Sequence, residues 1–502
     1  MKRPANPRTM STPGIGEMSP RPMGALLDIQ AARDPDRPAL TFEGQTQTRR
    51  ELASRVNRRA RTLAAAGVRA GDFVGIALPN SPAFLELAFA VWALGATPAP
   101  LSHKLPAAEL EGILDLLKPR LVVINDIARA GTWTWTARTE AETFDPGQDD
   151  SPLPETVAPH LKAIASGGST GRPKVIVDMA PGIADPDKPL LGMLPDDVLM
   201  NPGPLYHAAP FGMTCFAMGW GLHVVLMPRF DAEEALRLIE RHRVRWLFQV
   251  PTMMHRVWAL PDEVKAAYDI SSLDAVMHIA APCPPWLKQA WIDWVGAETV
   301  WELYTGTEAM GGTGINGVQW LAKPGSVGRV LPGYEMQVLR PDGSACAVDE
   351  VGEIFFRPLR GQGTTYRYLG AEPKAVGEFE TLGDMGRLDA DGYLFLADRR
   401  VDMILSGGAN VYPAEVEAAI DAFPGVQCSV VIGLPDADLG QRVHAIVETA
   451  DGVLDQAALT AFLAERIARY KQPRSFEATA ERLRDDAGKV RRGALRAERL
   501  PT

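Results

Sequence analysis

The stretch Ser166-Gly167-Gly168-Ser169-Thr170-Gly171-Arg172-Pro173-Lys174 gathers the groups that hold a polyphosphate. Its glycines let backbone amides turn toward an anion, its hydroxyl residues add donors, and Arg172 and Lys174 add positive charge. Apolar runs on either side, Leu161 to Ala165 and Val175 to Val177, read as strands. A Walker A loop is excluded, because that element needs the order GxxxxGK[ST] and a helix after it. Taken alone, the same composition also suits a surface hairpin that uses glycine for turning.

Other short segments follow in order: Tyr304-Thr305-Gly306-Thr307-Glu308, Leu382-Gly383-Asp384, Asp398-Arg399-Arg400-Val401-Asp402, Ser406-Gly407-Gly408-Ala409-Asn410-Val411-Tyr412-Pro413 and Gly488-Lys489-Val490-Arg491-Arg492. With the loop, they resemble the signature elements of the adenylate-forming superfamily of acyl-CoA synthetases, peptide-synthetase adenylation domains and luciferases. The resemblance runs from about Leu27 to Leu500 and includes Gly95 to Leu101, similar to the family's GAxxxPL stretch. It implies an α/β fold with a large multi-layer N-terminal domain containing mixed sheets and a small, mobile α+β C-terminal lid.

Site roles come with the resemblance. The loop residues Ser166, Gly167, Gly168, Ser169, Thr170, Gly171 and Lys174 would bind ATP, together with Ala281 and Pro282. Tyr304 would cover the adenine, Thr307 would meet the α-phosphate, and Glu308 would hold Mg2+, as a tyrosine ring, a hydroxyl and a carboxylate are suited to do. Asp384 would accept hydrogen bonds from the ribose hydroxyls, and Arg399 would reach the ribose or phosphates. Lys489 would stabilise charge developing between the substrate carboxylate and the α-phosphate. Gly407 and Gly408 would let a pantetheine arm pass close to the backbone.

Two departures from the family pattern, Val401 and Ala409, fall in the elements of the second half-reaction, and two others do not. The pivot position holds Val401, where a charged residue is usual, and Ala409 replaces the glutamate of SGGENVYP. The phosphate loop has Val175 in place of glycine, and the proline expected ahead of Gly488-Lys489 is missing.

For the acid, the resemblance points to Pro204-Leu205-Tyr206-His207-Ala208-Ala209-Pro210-Phe211-Gly212, with His207 orienting the carboxylate or shielding the acyl adenylate. Ala208, Phe211, Val250, Met254, Ile279, Gly306, Met310, Gly311 and Gly312 are expected to wall the acyl pocket, as are Met253 and Thr313. The small residues among them suggest room for a bulky, flat acid, aromatic or polycyclic. The implied reaction has two steps: the acid attacks the α-phosphorus of Mg-ATP, then a nucleophile displaces AMP. Coenzyme A is the first expectation for that nucleophile and an amine the second. A luciferase-like oxygenase and a non-catalytic ligand-binding homologue are more distant readings.

These elements must be carried by a chain of 502 residues, too long for one ordinary core. A hydrophobic share of 46% and a charged share of 23% are those of a globular enzyme. A net charge of -10 gives no electrostatic reason to expect nucleic acid as a partner. The scattered Cys215, Cys283, Cys346 and Cys428 lack CxxC spacing, which suggests a reducing compartment and no structural zinc. No stretch reaches the roughly 18 apolar residues of a membrane span; a cytoplasmic monomer or homodimer acting on small molecules is expected.

Residues 1–23 read as a disordered tail, 24–400 as the adenylation domain and 403–502 as the lid, with a hinge near 401. Phe73 to Leu78 and Leu121 to Asn125 read as strands, and Ser81 to Leu94 and Ala232 to Arg243 as helices. In the lid, Ala414 to Ala422 and Gln456 to Arg469 read as helices, and Ser429 to Gly433 and His444 to Glu448 as strands. Asp391-Gly392 reads as a hairpin turn.

Overall fold

The computed structural model describes residues 19–130, 133–167, 173–399, 402–406, 409–436, 439–485 and 488–500. Its centre is a nine-stranded sheet with the order Arg329–Val330, Gly312–Asn316, Val300–Thr305, Ala275–His278, Trp246–Gln249, Val198–Asn201, His223–Leu226, Pro38–Phe42, Gln45–Thr48. The strands from Pro38–Phe42 to Val300–Thr305 are parallel to their neighbours, and the outer ones are antiparallel. Parallel neighbours need crossovers, and helices such as Ala208–Gly219, Ala232–His242 and Pro251–Trp258 supply them. A second, four-stranded parallel sheet has the order Thr97–Pro100, Phe73–Ala77, Leu121–Ile124, Ala137–Thr139.

Helix Pro82–Ala93 is apolar on every face, and every residue from Phe84 to Ala93 is buried. A helix of that kind belongs inside a core. Ser81 starts it by accepting a hydrogen bond from the Phe84 amide, with Pro82 at the first turn. Glu86 is its only acidic residue and is fully buried. It survives there because helix Arg49–Ala65 brings two arginines to it: Arg55 Nε at 2.5 Å and Arg59 Nη2 at 2.8 Å. Arg59, itself fully buried, also donates to Thr143 Oγ1 at 2.6 Å and Glu140 Oε1 at 2.7 Å.

The C-terminal unit is a five-stranded sheet in which Ala409–Val411, Ile404–Ser406, Gly440–Thr449 and Val426–Asp436 follow one another and Ser475–Thr479 pairs with Gly440–Thr449. Helices Pro413–Ile420 and Gln456–Ala464 close its own core around Val416, Ile420, Val431, Leu459 and Leu463. The expected lid strands are therefore present but longer, and the second helix is shorter than Gln456 to Arg469. After Ala464 the chain turns, with the Ile467 amide bonded to Leu463 O, so that Ile467 packs onto that core. The four cysteines are free thiols, and among the described residues no helix is long and apolar enough to cross a membrane.

The tail expected through Met23 is corrected. Arg21–Pro22 pairs with Ile183–Ala184, and Met23 is fully buried in the main core. A run this short carries no periodicity to read, and one methionine anchors it. Residues 1–18 and the expected pivot Val401 lie outside the described residues.

Burial alone would raise the Glu86 pKa, but hydrogen bonding from Arg55 and the charges of Arg59 and Arg55 outweigh it and hold the carboxyl below its usual 4.5. Its contribution is thus complete above the unfolded value and is lost as pH falls through the lower folded one. Arg59→Met, which leaves a buried carboxylate short of a partner, is expected to cost about 3 kcal/mol at pH 7. The gap in thermal midpoint between variant and parent should shrink between pH 7 and pH 4, as Glu86 protonates in the variant.

Candidate functional site

Segments on which the sequence placed chemistry leave the carboxyl ends of adjacent parallel strands. Pro204 to His207 follows Val198–Asn201, Val250 follows Trp246–Gln249, Ile279 to Pro282 follows Ala275–His278, and Gly306 to Glu308 follows Val300–Thr305. In open parallel sheets ligands bind in the crevice outside these ends. Two alanines there have left-handed backbones, Ala280 at φ 79° and Ala309 at φ 49°. Strain of that kind, costing on the order of 1–3 kcal/mol each, collects where a site dictates the backbone.

The phosphate-loop motif forms a hairpin. Ala163–Gly167 pairs antiparallel with Pro173–Asp178, with Ser166 opposite Lys174 and Gly167 opposite Pro173. Strands thus flank the loop on both sides, as its sequence suggests. Gly168, Ser169, Thr170, Gly171 and Arg172 lie outside the described residues, as do Gly407 and Gly408.

At the end of the hairpin, Lys174 Nζ lies 3.2 Å from Glu308 Oε1, joining two motifs far apart in the chain. Tyr368 completes a triad that the motifs do not reveal. Its hydroxyl donates to Glu308 Oε1 at 2.6 Å, and its ring centre lies 4.1 Å from Lys174 Nζ. Burial, then the Glu308 carboxylate, push the Tyr368 phenol well up, so it stays a proton donor to that carboxylate. Glu308 is itself buried. A buried carboxylate beside a phosphate loop is chemically suited to Mg2+, which prefers one or two carboxylates plus phosphate oxygens.

A second cluster joins Tyr304 to Asp384, with the phenol donating to Oδ2 at 2.7 Å. Asp384 stands opposite Arg399 in the antiparallel pairing of Asp384–Leu388 with Leu394–Arg399. The turn joining those strands contains Asp391 and Gly392, with Gly392 at φ 77°, as expected. The Arg399 side chain lies outside what the structure describes. Thr307 is half-buried in the turn after Thr305.

On the acid side, His207 caps helix Ala208–Gly219 and its ring lies 4.6 Å from that of Tyr206. The segment ahead of it is held by a residue that sequence reasoning missed. Asn80 donates to Gly203 O and Met227 O, each at 2.9 Å, and accepts from the Leu205 amide at 2.8 Å. A lone asparagine far upstream offers no signal for such a clamp.

Several expected wall residues are packed into the hydrophobic core. Phe211 is buried against Phe84 and Trp92, with ring centroids 6.3 Å and 5.6 Å away. Met254 and Met310 are buried in two other clusters, and buried Thr313 donates to Val327 O at 2.6 Å. The helix places Phe211 on its core face, whereas Ala208, Ala209 and Gly212 form a stripe that is less buried. A Cβ on Gly212 would meet nothing within 4 Å. Gly212, not Phe211, is therefore the accessible position, and helical spacing from Ala208 was the available clue. Val250 and Ile279 are buried directly at their strand ends.

The small size of Gly306, Gly311 and Gly312 also has a different cause from the one expected. A Cβ at Gly306 would lie 2.5 Å from Leu382 Cδ1, one at Gly312 would lie 2.5 Å from Tyr304 O, and one at Gly311 would overlap the Phe356 ring. At each of these glycines a side chain would run into neighbouring protein.

The C-terminal unit reaches the same edge. Gly488 is buried with φ 75°, and a Cβ there would lie 3.1 Å from Thr252 Oγ1 in the first turn of Pro251–Trp258. Lys489 follows it and is exposed. Arg491 extends toward Glu109, 3.7 Å away, on helix Ala107–Leu117.

A parallel-sheet edge holding these groups, closed by a small unit that presents a lysine turn, defines an α/β enzyme with a lid-like second domain. Residues 27–369 match the AMP-binding enzyme family, and residues 415–489 match the AMP-binding enzyme C-terminal domain; the chain belongs to this family. It is 34% identical to a feruloyl-CoA synthase from Amycolatopsis sp, covering 94% of this chain and 98% of the relative. It is 31% identical to a 2-succinylbenzoate–CoA ligase from Geobacillus kaustophilus, covering 94% and 96% respectively. Among solved structures it is similar to o-succinylbenzoate CoA synthetase from Bacillus subtilis in complex with an acyl-adenylate intermediate, with a TM-score of 0.80, 25% identity, and coverage of 95% and 98%. An amide bond synthetase from Marinactinospora thermotolerans shares the fold, with a TM-score of 0.78, 24% identity, and coverage of 95% and 100%.

Gly311→Ala tests the packing explanation. Overpacking against Phe356 is expected to cost about 1–3 kcal/mol, read as a lower thermal midpoint. An unchanged midpoint would return Gly311 to the pocket side.

Proposed function

We propose that the chain is an AMP-forming acid ligase that adenylates a bulky, flat carboxylic acid of the arylpropenoate or aryl type and passes the acyl group to coenzyme A. The observation that supports this most is the convergence on one sheet edge of the Lys174–Glu308 pair, the Tyr304–Asp384 pair and the Lys489 turn. The relatives named above support the aryl acid and the CoA acceptor.

In this reading Tyr304 and Asp384 hold the adenosine, with Ala281, Pro282 and Arg399 beside them, and Lys174 and the loop hold the triphosphate. Mg2+ would be held by Glu308 together with phosphate oxygens, lowering the charge on the leaving pyrophosphate. The acid enters between His207, Ala208, Gly212, Val250 and Ile279. Its carboxylate oxygen attacks the α-phosphorus, the bond to pyrophosphate breaks, and an acyl adenylate forms. No general base is needed, since the nucleophile is already an anion; positioning and charge stabilisation supply the acceleration. Lys489 neutralises charge at the α-phosphate and the attacking carboxylate, and the Thr307 hydroxyl donates a hydrogen bond to the α-phosphate. The CoA thiol then adds to the acyl carbon and AMP leaves, after the lid has turned at 401 to bring Gly407 and Gly408 to the channel. The four free thiols suit a reducing compartment, and we place the enzyme in the cytoplasm as a monomer or homodimer.

A second reading, an amide-forming ligase with an amine acceptor, is favoured by Val401 and Ala409 in the thiolation elements. Pyrophosphate release measured across ferulate, benzoates, fatty acids and steroid acids, with CoA or amines as acceptors, separates the two. Fastest turnover with an aryl acid and thioester formation are expected; adenylate without thioester would exclude the CoA reading. Lys489→Ala is expected to lower acid-dependent pyrophosphate release by at least about 10²-fold with the fold intact, since Lys489 is exposed. Activity surviving that change would remove Lys489 from the mechanism.

A further inference from the structure

Glu417, on helix Pro413–Ile420, is buried in the C-terminal unit and carries more partners than a helix residue needs. Its Oε1 accepts from Arg492 Nη2 at 2.6 Å and from the Val431 amide at 2.8 Å, and its Oε2 accepts from Arg484 Nη2 at 3.0 Å. The two arginines flank the lysine turn, one five residues before Lys489 and the other three after it. One carboxylate thus ties together both ends of the segment that carries Lys489.

The ties continue into the turn. Arg484 Nη1 donates to Gly488 O at 3.2 Å. Within the turn, the Lys489 amide donates to Asp485 Oδ1 at 2.8 Å, the Asp485 amide to Lys489 O at 3.0 Å, and the Gly488 amide to Asp485 O at 2.9 Å. On the other side, Arg492 Nη1 reaches Asp402 Oδ2 at 3.4 Å, just past the expected pivot. Burial alone would raise the Glu417 pKa, but the charges of Arg492 and Arg484 and the Val431 amide hold it down, so the clamp is ionic.

We infer that Glu417 is a positioning residue for adenylation, acting through Arg484 and Arg492 to set where Lys489 enters the site. The inference rests on the reading of Lys489 given above. The place that the ammonium of an exposed lysine can reach is set first by where its backbone is held. That backbone is pinned at Gly488 against Thr252 on one side and at the Glu417 clamp on the other. Without the carboxylate, two guanidiniums that are mostly buried, with 14% and 19% of their side chains exposed, would lose the anion they share, Arg492 keeping its 3.4 Å contact with Asp402, and the ends of the turn would be free to splay. A displacement of about 1 Å at a reacting group can cost about 10²-fold in rate.

The test separates the half-reactions, because Lys489 acts only in the first. For Glu417→Gln in the full chain, acid-dependent ATP–pyrophosphate exchange is measured with ferulate, or with whichever acid of the panel turns over fastest. Conversion of the preformed adenylate of that acid by CoA or by hydroxylamine is measured beside it. Exchange is expected to fall about 10²-fold in kcat with KM for ATP changed less than about threefold, while adenylate consumption stays within about threefold of the parent. Arg492→Lys, which keeps the charge and loses the planar fork, is expected to show the same split in milder form, and it carries the test should Glu417→Gln not fold. Equal loss of both half-reactions would mean a structural role only and overturn the inference. Unchanged exchange in a folded Glu417→Gln, with Lys489→Ala inactive, would overturn it as well. Were Lys489→Ala to keep full exchange, the reading of Lys489 itself would fall, and this inference with it.

Discussion

Two parallel strands cannot be joined by a tight turn; each crossover carries the chain back to the starting edge, so successive carboxyl ends open on the same side of the sheet. This constraint organises the site. Segments near positions 204, 250, 280 and 306 are separated by whole helices in sequence, yet all leave adjacent strands at one edge. What distinguishes the chain from any other parallel sheet is what those ends carry, and how a hairpin and a small second domain are brought against them.

Much of this organisation is legible in the sequence for physical reasons. The phosphate loop is bounded by short apolar runs that pair with each other as the loop closes, and Ser166 and Lys174 are cross-strand partners. The carboxylate of Asp384 and the phenol of Tyr304 were both recognisable from motif order. Nothing local links Tyr368 to Glu308 across 60 residues, or Asn80 to Leu205 across 125; such contacts are products of the fold. Side-chain size was misleading for a related reason. A glycine reads as empty space in a sequence, but Gly311 is filled by Phe356 and Gly312 by its own paired strand. Phe211 lies in the segment that the resemblance assigns to the acid, and helical phase turns its ring into the core.

Charge is handled locally throughout. An acidic chain that is to hold a polyphosphate must gather cations at chosen points, and it places several against buried carboxylates: Arg55 and Arg59 on Glu86, Arg484 and Arg492 on Glu417, Lys174 on Glu308. The first two sets hold neighbouring elements in place. In each, the carboxylate's burial cost is met only because paired guanidiniums surround it, and the pairing in turn dictates how two helices, or a helix and a loop, must sit.

The pair of Lys174 and Glu308 is different because it lies where ligand is expected. As long as they hold each other their two charges offset, and a divalent cation arriving by itself would meet an ammonium group beside the carboxylate. On the proposed reading, triphosphate would offer the lysine a better anion and leave the acid to Tyr368 and the metal. On that reading, metal and nucleotide would thereby be thermodynamically linked, each worth more in the presence of the other, through a single contact of 3.2 Å.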